Sequence, residues 1–383
     1  MPADRADFVA LLEKRGPWIT AIAREMNLSP ETARYWYKQC ILNRRGFALQ
    51  AFIDEQEFGL RRVYVFADLD DRFLPYARDI FDVLASYLGL TYYIRTLPFG
   101  TFVTSYQIPK ERLAELLKAL DDLKSLGVFK KFEVMPVNWR RFVPMKAKYY
   151  NFAKGVWEFD WASATEGTSD ELPPLAPSKP VKFDYNDLLI IMELQANSTR
   201  SVQTIARALK MEYDVAYRHY THIMKRGMIG GYKIRWVETS VKKAEGPQKW
   251  RDILFYNSQH KYQSMLVLLR NLKEKDQSLV MHKVSTIPFL FNLNGGDGSL
   301  YFEMQIPFSY QSEVLHFLHN VVSPYRDSLK FLFTDQSFAM GTSIPYLSFD
   351  RETNKWTYRS EECVAAFKTL LPKIERGSSS GPS

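Results

Sequence analysis

Two stretches of the chain share one pattern of apolar and polar positions. Ile22, Ala23, Met26, Ala33, Tyr37 and Cys40 recur at helical spacing, as do Ile205, Ala206, Leu209, Ala216, Tyr220 and Ile223. Opposite faces are polar, so each stretch predicts two short helices around a tight turn. Ser29 before Pro30 marks a helix start, because the hydroxyl can cap a free N–H and proline loses nothing at a first-turn position. Phe8, Val9, Leu11 and Leu12 predict a preceding helix over Ala6–Lys14, and Asp187–Ala196 predicts its counterpart. Phe47–Ile53 and Gly227–Tyr232 follow the helices with wing-like composition.

The period then changes to two. Arg61–Leu69, Tyr92–Leu97, Thr101–Ile108 and Lys131–Val137 read as strands, with helices over Phe73–Leu88 and Pro109–Leu126. Strand, helix, strand, strand, helix, strand is the ferredoxin-like order. The second half predicts a strand over Arg251–Tyr256, a helix over Tyr262–Lys275, a hairpin turning at Gly295–Gly298, a helix over Tyr310–Val321 and a strand over Leu329–Thr334. Gln305-Ile306-Pro307 echoes Gln107-Ile108-Pro109, and Ile344-Pro345 leading to Trp356 echoes Val143-Pro144 leading to Trp157. The expected fold class is α+β. Residues 1–58 and 184–245 form winged helix-turn-helix domains, and residues 59–160 and 246–375 form ferredoxin-like domains. Residues 161–183 form a Ser/Pro/Glu/Thr-rich linker and 376–383 a disordered tail. A duplicated unit of this kind folds as an internal pseudo-dimer, with a homodimer as a further option.

A length of 383 residues with 46% hydrophobic composition implies several cores. The net charge of +8 suits a polyanionic partner. Cys40 and Cys363, the only cysteines, provide neither a disulfide framework nor a cysteine-rich zinc site. Apolar windows such as Phe81–Leu90 are too short to span a bilayer, so a cytoplasmic, nucleoid-associated protein is expected. No Walker loop, dinucleotide fingerprint or nucleophile elbow is present, and Gly295–Gly298 reads as a turn rather than a phosphate cradle.

On a helix starting near Pro30, Ser29, Thr32, Tyr35, Trp36 and Gln39 share a face away from the apolar stripe and become candidate base contacts on double-stranded DNA. Arg34, Lys38, Arg44 and Arg45 flank them as phosphate ligands. The second copy offers Arg218, His219 and His222 to bases and Lys225 and Arg226 to phosphates, which implies an asymmetric site. The plainer reading of Tyr35 and Trp36 is that they are packing residues. His219 and His222 lie one helical step apart, but no neighbouring Cys or carboxylate in the sequence completes a tetrahedral metal set.

In order along the chain, Leu28-Ser29-Pro30, Phe58-Gly59-Leu60, Gly100 and Leu126-Gly127-Val128, with Gly227–Tyr232 in the second copy, resemble the Lrp/AsnC family of prokaryotic transcription regulators. That resemblance implies a helix-turn-helix joined to a ferredoxin-like ligand and dimerisation domain. It implies DNA binding rather than catalysis, with no cofactor, no metal and an effector of unspecified kind. Three residues after the hairpin glycine, where the family usually has an aspartate, this chain has Val103, and Tyr301 in the second copy. Siroheme decarboxylases reuse the same domain pairing and give the rival, enzymatic reading; their histidine-bearing strand corresponds to Thr91–Arg95, where Arg95 is present and the histidine is not. A non-specific architectural DNA-binding protein is the third alternative.

Overall fold

A computed structural model describes residues 4–43, 48–98, 100–161, 179–235, 239–243, 252–256 and 262–378. Arg44, Arg45, most of the expected linker and the last residues of the expected tail lie outside them.

The first three helices are α1 (Arg5–Arg15), α2 (Ile19–Glu25) and α3 (Pro30–Tyr37). As expected, Ser29 Oγ accepts the Thr32 N–H at 3.1 Å and Pro30 takes the first turn. Phe8, Val9, Leu12, Ile22, Ala23, Ala33 and Cys40 form their core. β1 (Ala48–Phe52) follows, then β2 (Leu60–Leu69), α4 (Ala77–Leu88), β3 (Leu90–Leu97), β4 (Phe102–Pro109), α5 (Leu113–Ser125), β5 (Phe129–Pro136) and the short β6 (Trp139–Arg141). Gly89 stops α4 at φ 69°, with no room for a side chain, since a Cβ would stand 2.5 Å from the Gln107 carbonyl oxygen. After a small hairpin of β7 (Tyr150–Asn151) and β8 (Val156–Trp157) come α6 (Tyr185–Asn197), α7 (Val202–Leu209), α8 (Tyr213–Arg226) and β9 (Gly231–Arg235). The remaining elements used below are β10 (Thr239–Lys243), β11 (Asp252–Tyr256), β12 (Tyr262–Leu269), α9 (Glu274–Val284), β13 (Leu290–Gly296), β14 (Ser299–Pro307), α10 (Gln311–Val322), β15 (Leu329–Gly341) and a terminal helix over Ser360–Ser378.

The fold is α+β, built on a large antiparallel sheet. Among the described residues nine strands pair in the order β5-β2-β4-β3-β15-β12-β14-β13-β6. Within each half the first strand in sequence lies between the fourth and the third, and β3 joins the halves by pairing with β15. β5 and β6 stand at opposite ends of this order, yet only Val137 and Asn138 separate them in sequence. The sheet must therefore curl until its ends meet. Asn138 N–H donates to the Gly295 carbonyl at 2.8 Å and Val137 N–H to the Arg62 carbonyl at 2.9 Å, which closes the seam. Alternation along β2 then sorts side chains between two environments. Val63, Val65, Ala67 and Leu69 face Ile80, Phe81 and Leu84 of α4 and Leu116 and Leu120 of α5. Tyr64 and Phe66 face the opposite half, where the Tyr64 ring lies 4.2 Å from that of Tyr301.

One expected element is corrected. Tyr262–Lys275 is not a helix: Tyr262–Leu269 is strand β12, and the helix begins at Glu274. β12 is an interior strand of the curled sheet with both faces covered, so Met265–Leu269 are all buried and alternation disappears, leaving a continuous apolar run that periodicity cannot assign. The expected strand near Arg251–Tyr256 exists as β11, but it pairs with β10 outside the large sheet.

The two helix trios are tied together by their strands. β1 pairs with β9, from Ala48 opposite Arg235 to Phe52 opposite Gly231. Glu13 of α1 reaches into this junction, where it is buried and its carboxylate accepts the Met145 N–H at 2.9 and 3.1 Å and the Ile234 N–H at 3.3 Å. Burial pushes its pKa up to about 8, against the pull of these N–H groups and Lys233. No helix among the described residues is long and apolar enough to cross a membrane.

Two predictions follow from the seam and the junction. Gly296→Ala places a Cβ 2.3 Å from the Pro136 carbonyl oxygen, so the seam must open. A loss of about 1–3 kcal/mol is expected from overpacking, read as a lower urea midpoint. Glu13 stays protonated in the folded chain while its unfolded counterpart ionises near pH 4.5, so stability falls between pH 4.5 and about 8. The slope from this group is on the order of 1.4 kcal/mol per pH unit. Glu13→Gln flattens that slope in urea denaturation repeated across the range, and an unchanged slope would assign it to other groups.

Candidate active site

Where the curled sheet, the β1–β9 pair and α6 meet, they line a cavity of ≈ 530 Å³ that opens to solvent. That volume lies within the roughly 300–1,000 Å³ typical of small-molecule and cofactor sites. Seven basic side chains line it, Arg62, Arg140, Arg200, Lys210, Lys233, Arg235 and Arg351, against the carboxylates of Glu193 and Glu303.

Strand alternation places the innermost of these charges. Arg62 shares the inward face of β2 with Tyr64 and Phe66, and sits opposite Gln107 of β4. Lys233 and Arg235 alternate on β9 with Tyr232 and Ile234, which turn into the apolar core. Arg140 comes from β6, so the seam itself delivers it.

Buried Glu55 accepts hydrogen bonds from Arg62, from Arg140 Nη1 at 2.8 Å and from Gln107 Nε2 at 3.4 Å. Arg62 also donates to Ser105 Oγ at 2.8 Å, and Arg140 stacks over the Phe52 ring at 4.7 Å. Burial and the neighbouring Arg140 charge lower the Arg62 pKa to about 10, and burial lowers that of Arg140. One carboxylate between two arginines leaves the site short of negative charge.

Lys233 is buried. Its Nζ donates to the Phe291 carbonyl and to Asn292 Oδ1 at 3.0 Å, and lies 3.4 Å from the Phe291 ring centroid. Burial first, then Arg140, holds its pKa well below that of an ordinary lysine. Asn292 Nδ2 donates onward to Glu303 at 2.7 Å, and Glu303 accepts also from Gln305 at 2.9 Å and Ser264 at 3.3 Å. The cavity thus joins arginines that share a single carboxylate, and an aromatic surface, to a lysine whose pKa burial holds low.

The sequence-predicted residues lie elsewhere. Tyr35, Arg34, Lys38, Arg218, Lys225 and Arg226 are exposed on α3 and α8 or just beyond, with Arg34 3.8 Å from Glu31. Ser29 and Thr32 bond to one another at 3.0 Å, and Gln39 is half-buried. Three of these residues have partners within the chain. Trp36 packs edge-on against Phe8 at 5.8 Å, because the start of α1 covers that flank of α3. His219 is buried against Asp187 at 2.9 Å, and half-buried His222 turns to the same carboxylate at 3.1 Å, because the first turn of α6 lies against α8. The histidines therefore do have carboxylate neighbours. Among the described residues, none of the expected base or phosphate contacts lines the cavity. Within Thr91–Arg95, Thr91 and Tyr92 reach it, whereas Arg95 bonds to Asp335. The sequence signal for the cavity was a basic residue on an inward strand position: Arg62 two before Tyr64, and Lys233 two before Arg235.

No protein-family model matches this sequence, and no curated protein does. Among solved structures the fold is similar to siroheme decarboxylase NirDL, with a TM-score of 0.52 and 12% identity over 97% of this chain and 100% of that one. The same enzyme in complex with an iron-uroporphyrin III analogue aligns at a TM-score of 0.51 and 11% identity, with the same coverage. An AsnC family transcriptional regulator from Agrobacterium tumefaciens aligns over 36% of this chain and 91% of its own at a TM-score of 0.27 and 12% identity. The expectation of a non-enzymatic protein is thereby overturned, since the fold that spans the chain is one found in an enzyme.

Proposed function

We propose that the chain is an enzyme that binds a polycarboxylate tetrapyrrole and removes CO2 from one of its carboxylate side chains, the reading in line with its likeness to a siroheme decarboxylase. We further read the architecture as two winged helix-turn-helix units and two ferredoxin-like units that arose by tandem duplication. The observation that carries the functional reading is the cleft in which basic side chains outnumber carboxylates around the Tyr64–Tyr301 aromatic pair. A planar, apolar macrocycle fringed with carboxylates complements both features.

The two halves support a single reactive centre. Counting back from Gln107-Ile108-Pro109 and Gln305-Ile306-Pro307, Ser105 corresponds to Glu303 and Val103 to Tyr301, while Arg62 opposite Gln107 corresponds to Ser264 opposite Gln305. Arginine and its acceptor thus occupy one half, and the carboxylate behind Asn292 occupies the other.

In the reaction the bond between the side-chain methylene and its carboxylate breaks and CO2 leaves. The electron pair stays on the methylene carbon, conjugated with the ring, and that carbon takes up one proton to become a methyl group. Arg62 and Arg140 hold carboxylates that do not react. The Phe291 ring shields the one that does from water, and Lys233, seated against that ring, supplies the proton, oriented by Asn292 with Glu303 behind it.

DNA binding is the second reading, favoured by the exposure of Arg34, Lys38, Arg218, Lys225 and Arg226. Duplex binding with a steep salt dependence, lost when these residues are replaced, is its signature.

Adding iron uroporphyrin III to the chain is expected to perturb the porphyrin's absorption, and incubation with siroheme to release CO2 with a matching loss in product mass. Lys233→Met lowers turnover about 10²–10⁴-fold while retaining binding. An unchanged turnover removes the lysine from the chemistry, and absence of both tetrapyrrole binding and turnover in the native chain overturns the reading. Glu55→Gln strips Arg62 and Arg140 of their carboxylate, so the ligand-free chain loses about 3–5 kcal/mol in urea denaturation. A polycarboxylate porphyrin recovers part of that loss.

A further inference from the structure

Outside the cavity, the first turn of α6 and the middle of α8 bring four potential metal donors together. Asp184 and Asp187 occupy the N-cap and third positions of α6, and His219 and His222 stand one helical step apart on α8. We propose that Asp184, Asp187, His219 and His222 bind a divalent transition metal of the zinc type, clamping α6 to α8.

The geometry supports this in three ways. His219 Nδ1 lies 2.9 Å from Asp187 and 3.6 Å from Asp184, and His222 Nδ1 lies 3.1 Å from Asp187. Donor atoms of Asp184, Asp187 and His219 all fall within 4.8 Å of one another, whereas His222 stands outside that trio and joins it through Asp187, so its side chain must swing inward to complete the set. Bonds of about 2.0–2.2 Å to a tetrahedral ion set neighbouring donors roughly 3.3–3.5 Å apart, so sub-ångström shifts suffice for the close pairs. Second, both imidazoles present the same nitrogen to one carboxylate that is 1% exposed. As a hydrogen-bond network alone, this requires Nδ1–H on both rings; a divalent ion takes both nitrogens unprotonated and supplies the positive charge that buried Asp187 lacks. Third, no lysine or arginine pairs with either aspartate among the described residues, so no internal cation competes.

The reciprocal capping bonds hold the aspartates in place beforehand: Asp187 N–H donates to Asp184 at 3.0 Å and Asp184 N–H to Asp187 at 3.1 Å. These bonds leave carboxylate lone pairs available. The histidine set suits zinc, cobalt or nickel rather than calcium or magnesium. Later turns of α6 supply Met192, Glu193 and Gln195 to the cavity wall, so a metal clamp at its start fixes the helix that carries them.

The test uses the full chain. After incubation with Zn²⁺ and desalting, elemental analysis is expected to find one ion per chain at this site, and Co²⁺ titration to give the intense visible absorption of a four-coordinate ion. His222→Ala alters only a half-buried side chain, and Asp184→Asn keeps an N-cap oxygen; each is expected to weaken binding by about tenfold or more with an unchanged circular dichroism spectrum. His219→Ala/His222→Ala is expected to lose the ion and the Zn²⁺-dependent rise in melting temperature. The proposal is overturned if the native chain retains no metal, or if the double variant retains it equally. Neither outcome depends on tetrapyrrole binding, so this proposal and the enzymatic one fail separately.

Discussion

The two-residue link between β5 and β6 governs much of this structure. A nine-stranded antiparallel sheet has two free edges, and strands at opposite ends of it are ordinarily far apart in space. Here they are neighbours in sequence, so the sheet bends through a full turn and its inner faces confront each other. Natural sheet twist favours curling, and backbone hydrogen bonds from Val137 and Asn138 fasten the closure. Tyr64 meets Tyr301, Arg140 arrives at the cavity and Gly295 accepts the Trp139 ring, all as results of that bend.

Closure creates an electrostatic problem as well as a cavity. Two arginines and a lysine, partly or wholly removed from water, cost several kcal/mol each unless compensated. Glu55 compensates Arg62 and Arg140 together, and Lys233 relies on a carbonyl, an amide oxygen and an aromatic face. Glu303, in turn, is satisfied by neutral donors rather than by a cation. Burial first, and the neighbouring Arg140 charge second, loosen the Lys233 proton, and the excess of basic groups around it is what the proposed anionic ligand would answer.

Much of the local structure was legible in the sequence. The helix trios, the capping of α3, the strands flanking α4 and the hairpin at Gly295–Gly298 follow from periodicity and turn chemistry that act over a few residues. β12 was not, because burial on both faces erased the alternation that identifies a strand. The cavity escaped for another reason: Arg62, Arg140, Lys233 and Glu303 come from four strands spread across the chain, and each alone looks like an ordinary surface charge. The histidines misled in the same way, since Asp184 and Asp187 stand more than thirty residues from them in sequence and beside them in space.

Strand pairing across the chain also bears on how the protein forms during synthesis. β1 finds its partner only in β9, and β3 finds one of its two neighbours only in β15, more than two hundred residues later. While the ribosome works through the second half, the first half carries unsatisfied edges that invite pairing with any nearby chain. Late arrival of β15 therefore sets a window of vulnerability to aggregation, and the speed of translation through the second half determines how long it lasts.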